Sequence, residues 1–168
     1  MALRALKVAG QTLVFAAFAT VVGYFSAAPS YDRIPSGKAL ITLSFNHVGA
    51  RRFECRRLSP EEIAALPPNM RRPEDCPRER VPLLLEVRVD GAILAATELQ
   101  PVGLARDGPS SVYRNFLVEP GRHQLELRLR DTPRTDGYDH AYARAVDVVP
   151  GQHIVIDFKP DKGGFQIL

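Results

Sequence analysis

The sequence predicts an all-β protein, an antiparallel sandwich of about seven strands, preceded by one N-terminal transmembrane helix. Two patterns carry that expectation. Apolar residues alternate with polar ones at period two through short segments bounded by turn residues, and the first thirty residues hold an unbroken apolar run. At 168 residues and 45% apolar content, the chain has enough material for one packed domain and an appendage.

The apolar run, residues 8–28, contains 21 residues without a charge, the number a helix needs to cross a hydrocarbon core. Arg4 and Lys7 precede it without an acid, whereas Asp32, Arg33 and Lys38 follow it with mixed sign. The positive-inside bias therefore expects residues 1–7 in the cytoplasm, 8–28 as the anchor in the lipid bilayer, 29–37 as a linker and 38–168 as an extracytoplasmic domain. For a bacterial chain this means a single-pass inner-membrane protein with its C-terminal domain in the periplasm. The rival reading is a cleaved signal peptide, because Ala28-Pro29-Ser30 offers small residues where a peptidase cuts. Both readings export the domain.

The formal charge is +3, but without Arg4 and Lys7 the count becomes 20 bases against 19 acids. Neither that balance nor the aromatic pattern supports a nucleic-acid partner. No convincing triad, Gly-x-Ser-x-Gly, phosphate-cradling glycine loop or dense acid pair inside a strand-end cluster appears, so a binding role is expected rather than an enzyme.

Export shapes the reading of Cys55 and Cys76. In an oxidising compartment an isolated pair at this spacing points to a disulfide, expected to stabilise by roughly 3 kcal/mol through loop closure. The alternative is a soft-metal site, since Met70 lies in the same loop and His47 is nearby in sequence, a set suited to Cu(I). Within the loop, Ser59-Pro60-Glu61-Glu62 reads as a capping box opening a short helix that Pro67 and Pro68 stop.

The insertion at 51–80 is rich in proline and arginine. Arg51, Arg52, Arg56, Arg57, Arg71 and Arg72 are the candidate partner-binding residues, because guanidinium groups on a stapled loop grip carboxylates or phosphates with bidentate geometry. The competing reading is a solvated insertion whose charge is offset by Glu54, Glu61, Glu62, Glu74, Asp75 and Glu79.

Strands are expected at 38–46, 82–91, 92–99, 111–119, 123–130, 140–149 and 153–158, with Asp90-Gly91 as a hairpin turn. Leu125, Leu127 and Leu129 should face inward, and Glu126, Arg128 and Arg130 outward. The phrase Val-x-Pro-Gly-x-His occurs twice, ending at His123 and at His153. A type II turn explains both copies, with Pro fixing φ and Gly taking the positive φ. The other explanation is a paired-histidine metal or pH site. Asp131, Asp136 and Asp139 lie in a polar connection that lacks the spacing of a calcium loop.

The strand-Pro-Gly-x-His-strand form, together with "VRVDG" at 87–91, resembles PEGA-type and related transthyretin-like or fibronectin-like modules over about 87–158. That resemblance implies an immunoglobulin-like or transthyretin-like β-sandwich without catalysis. The layout of one membrane helix and a small outward sandwich is similar to the accessory proteins of bacterial haem-copper oxidases of the FixH/CcoH type. It implies an accessory subunit or assembly factor whose partner is a membrane complex or periplasmic protein, needing no cofactor. The runner-up is a periplasmic copper-delivery protein using Cys55, Cys76 and Met70.

Overall fold

The computed structural model describes residues 2–29 and 34–168, in two compact units. The first is helix α1 (Ala2–Ala27), none of whose residues is buried. It begins six residues before the expected span because Ala2 to Lys7 are strong helix formers. Thr12, Thr20 and Ser26 donate their hydroxyls to the carbonyls four residues back, so these polar groups are satisfied within the helix. The helix is long and apolar enough to cross a membrane. The expected linker falls mostly at residues 30–33, outside the described residues.

The second unit is built of strands. They are β1 (Ala39–His47), β2 (Arg56–Arg57), β3 (Glu74–Asp75), β4 (Leu83–Val89), β5 (Ala92–Leu99), β6 (Ser110–Val118), β7 (Gly121–Arg130), β8 (His140–Val148), β9 (His153–Lys159) and β10 (Gly164–Ile167). Two four-stranded sheets form, in the orders β10-β9-β1-β6 and β5-β4-β7-β8, while β2 and β3 pair separately. Every expected strand is present within two residues of its predicted ends. The additional strand β10 follows a 3-10 turn at Pro160–Lys162. Its four residues are too few to display a period.

Alternation along each strand produces a shared core. Ile41, Leu43, Ile154 and Ile156 of the first sheet meet Leu85, Val87, Leu125, Leu127 and Leu129 of the second in one buried cluster. Glu126, Arg128 and Arg130 lie outward, as expected. Phe45, Phe158 and Phe165 close one end, their ring centroids 5.0 to 6.2 Å apart.

The expectation of a wholly antiparallel fold needs correction. Strands β1 and β9 run parallel, with Leu40 opposite His153 and Leu43 opposite Ile156. Parallel neighbours need a crossover, and here the intervening chain passes through the whole second sheet. The repeated Pro-Gly phrases mark two of the four passages between the main sheets. Pro120-Gly121 takes the chain from β6 to β7, and Pro150-Gly151 returns it from β8 to β9.

The two turns differ. In the second, Gly151 has φ 78° and Gln152 N–H donates to the Val149 carbonyl at 3.0 Å, as a type II turn requires. In the first, Gly121 has φ 138°, and the Glu119 carbonyl instead meets His123 Nε2 at 2.8 Å. A side chain replaces the backbone donor. One period in the sequence thus serves two backbone conformations.

Candidate functional site

Residues 50–81 form a two-stranded arm. Arg52 N–H donates to the Glu79 carbonyl and Val81 N–H to that of Ala50, Arg51 bridges Arg80, and β2 pairs with β3 further out. Cys55 and Cys76 are joined by a disulfide between these rungs. At the tip lies α2 (Pro60–Ala65), with the expected capping box: Glu62 N–H donates to Ser59 Oγ, and Ser59 N–H to the Glu62 carboxylate at 2.8 Å. A 3-10 turn at Pro68–Met70 follows. The arm grows from the end of β1 opposite Lys38, about 30 Å away for nine residues at ~3.4 Å each.

Close approach fixes the root. A Cβ on Gly49 would lie 2.6 Å from the Val81 carbonyl oxygen, so only glycine lets the two chains pass. Ala50 N–H donates to the Asp131 carbonyl at 2.7 Å, tying the root to the end of β7. Beside it, Asp131 Oδ2 meets His47 Nε2 at 2.7 Å and His140 Nε2 at 3.2 Å. Both rings pack edgewise on Phe158, at 4.9 and 5.0 Å. The hydrogen bond from His47 holds the Asp131 carboxyl below its ordinary range. Asp139 accepts from the Asp131 and Thr132 N–H groups, so Asp139 is occupied by the loop's own backbone and Asp131 by histidines.

The six predicted arginines lie along the arm, mostly beside acids. Arg52 pairs with Glu79 at 2.6 Å, Arg56 with Glu62 at 2.8 Å, Arg57 with Glu74 at 3.7 Å, and Arg72 with Asp75. Among the described residues Arg51 and Arg71 make no ion pair; Arg71 donates to the Leu66 carbonyl at 3.3 Å. Pairs this exposed are worth little energetically. A groove of about 310 Å³ at the tip is lined by Arg56, Leu58, Glu62, Leu66, Arg72 and Asp75.

Neither histidine of the repeated phrase joins the other. His153 Nε2 contacts Thr42 Oγ1 at 2.7 Å, and Thr42 Oγ1 in turn donates to Asn115 Oδ1 at 2.7 Å. Thr42 is buried, which keeps its hydroxyl from any substrate. His47, proposed for copper from its place in the sequence, is engaged by Asp131, and Met70 stands exposed at the arm tip.

No protein-family model matches the chain, and no curated protein or solved structure is similar to it. The functional reading therefore rests on the surface itself.

Sequence reasoning missed an asymmetry between the two outer faces. Outward positions of β4 and β7 carry Glu86, Arg88, Glu126, Arg128 and Arg130. Glu86 accepts there from Arg88 at 2.8 Å and from the Tyr138 hydroxyl at 3.0 Å. Outward positions of β1 and β6 carry no charge at all: Leu40, Thr42, Ser44 and Asn46 beside Leu117, Asn115, Tyr113 and Ser111. Tyr113 is 60% and Leu117 53% exposed, so their apolar surface is free among the described residues. Alternation alone signals this face, once β1 is read for its second set of residues.

Proposed function

We propose that the chain is a non-enzymatic, membrane-anchored accessory protein of the bacterial envelope, a subunit or assembly factor of a membrane complex, with respiratory oxidases the first candidates. Its anchor spans the inner membrane, its sandwich lies in the periplasm, and the uncharged face of β1 and β6 is the docking surface. That face supports the reading because the centres of protein interfaces are depleted in charge and enriched in aromatic residues such as Tyr113. Its polar groups add little desolvation cost, since Thr42, Asn115 and His153 already satisfy one another.

The arm adds a second contact. Arg52, Arg56, Arg57 and Arg72 exchange their exposed local acids for carboxylates of the partner, and Arg51 and Arg71, which make no ion pair among the described residues, meet such carboxylates directly, which favours recognition and register more than affinity.

The test is affinity recovery of the full-length protein from gently solubilised membranes. Wild type should retain a membrane complex, Leu117→Glu should lose it, and the fourfold change of Arg51, Arg52, Arg56 and Arg57 to Ser should weaken it. Undiminished recovery with a folded Leu117→Glu protein removes the face from the proposal. Undiminished recovery with the arginine variant removes the arm.

A further inference from the structure

Beyond the docking reading, and independent of it, the middle of the arm holds a set of atoms with a chemistry of its own. The Sγ atoms of Cys55 and Cys76 and a carboxylate oxygen of Glu74 all lie within 4.8 Å of one another. Among the described residues no other group of three histidine, cysteine or acidic side chains converges in this way. The backbone explains the convergence: Glu74 begins β3, Cys76 follows it directly, and Cys55 immediately precedes β2 on the facing strand.

Two further features bear on these sulfurs. Arg51 Nη1 lies 3.6 Å from Cys55 Sγ, which places a positive charge beside the sulfur. Both cysteines are at least partly accessible, so a reductant and an ion can reach them. Glu74 is held only by a loose pairing with Arg57, whose side chain is 91% exposed, and is therefore free to turn toward an ion.

We propose that the Cys55–Cys76 pair is a redox-gated zinc site, closed as a disulfide and opened by a dithiol reductant to bind one Zn²⁺ through Cys55, Cys76 and Glu74. The reductant passes two electrons and two protons to the disulfide and is itself oxidised to a disulfide, leaving two thiols on the arm. Zn²⁺ then displaces both thiol protons, and the Glu74 carboxylate supplies the third ligand. Two thiolates with one carboxylate suit zinc, with Zn–S near ~2.3 Å and a fourth position left for water. Cu(I) prefers soft donors throughout, whereas the third donor here is the hard carboxylate of Glu74. The ion carries two positive charges and its three ligands three negative ones, and Arg51 offsets the excess. Zinc in this place keeps β2 and β3 stapled when the covalent bond is open.

The experiment is zinc titration of the full-length protein in detergent against a chromophoric chelator, with the disulfide intact and after phosphine reduction and anaerobic desalting. Reduced wild type should bind one Zn²⁺ and the oxidised form none. Cys55→Ser should abolish binding. Glu74→Gln should weaken it at least ~10-fold, the loss expected even for a group that only supports a ligand. Far-ultraviolet circular dichroism of each variant checks that the sandwich persists. Reduced wild type binding no more zinc than the Cys55→Ser/Cys76→Ser double variant overturns the site. Binding indifferent to Glu74→Gln overturns the ligand set, and retention of Cu⁺ but not Zn²⁺ overturns the choice of metal.

Discussion

His123 Nδ1 lies 2.6 Å from Asp90 Oδ2, on the turn that joins β4 to β5, while the other nitrogen of the same ring meets the Glu119 carbonyl. Both partners are acceptors, so the geometry holds the ring doubly protonated. The hydrogen bond with Asp90, then that with Glu119, raises the His123 pKa above its ordinary value, and the bond from His123 lowers that of Asp90. The stability contributed by His123 is complete below about pH 6.5 and is lost as pH rises through its raised folded value. That contributed by Asp90 is present above about pH 3.9 and is lost as pH falls through its lowered one. Nitrogen-resolved NMR should show protons on both ring nitrogens below the midpoint, and a midpoint above the ordinary histidine value. A midpoint at or below about 6.5 would contradict this account.

Asp131 joins β1 to β8 through His47 and His140. Asp131→Ala should cost about 1.5–3 kcal/mol, the range for hydrogen bonds to a charged group. Because the native Asp131 pKa is lowered, the difference between variant and wild type should persist above about pH 4 and close only as pH falls through the native value. Urea denaturation at a series of pH values measures it.

Gly49 passes 2.6 Å, in Cβ terms, from the Val81 carbonyl oxygen. Gly49→Ala should force the two roots of the arm apart and destabilise by ~1–3 kcal/mol, as overpacking does. Hydrogen exchange should locate the loss at Ala50 and Val81, whose mutual bond closes the root.

Leu127 is wholly buried at the centre of the second sheet. Leu127→Ala should cost roughly 2–5 kcal/mol by calorimetry, with the wider loss if the cavity fails to collapse. A cost within 1 kcal/mol would place the core elsewhere.

Ser59 and Glu62 close the capping box of α2. Ser59→Ala should cost about 1 kcal/mol, felt within the arm because that helix buries none of its residues. Faster proteolysis near Arg57 and Arg71, with an unchanged melting temperature for the sandwich, is the expected signature.

Strands such as β7 were legible because they bury one face: Leu125, Leu127 and Leu129 alternate with charged residues, and such a pattern has few other solutions. Strand β10 was not legible, since Phe165 and Ile167 are too few to show a period, and neither was the parallel pairing of β1 with β9, since alternation is blind to direction. The capping box and the cysteine pair were readable from local spacing. Glu74 was not, because its approach to the sulfurs depends on the register of β2 against β3. The match of Asp131 to His47 joins residues 84 positions apart, a distance that no local motif encodes.

The position of β1 governs the order in which the fold can be completed. It is the first strand of its domain to be synthesised, yet its neighbours are β6 and β9, and Leu40 waits 113 residues for His153. Contacts so distant in sequence slow folding, because loop closure must be met before any pairing rewards it. Until β9 emerges, β1 presents an unpaired edge with Ile41 and Leu43 uncovered, and such edges recruit other chains. A nascent chain halted anywhere in the arm or the second sheet thus holds a sticky strand soon after helix α1 in sequence, and a holdase keeping that one segment occupied until the last residues arrive would protect it.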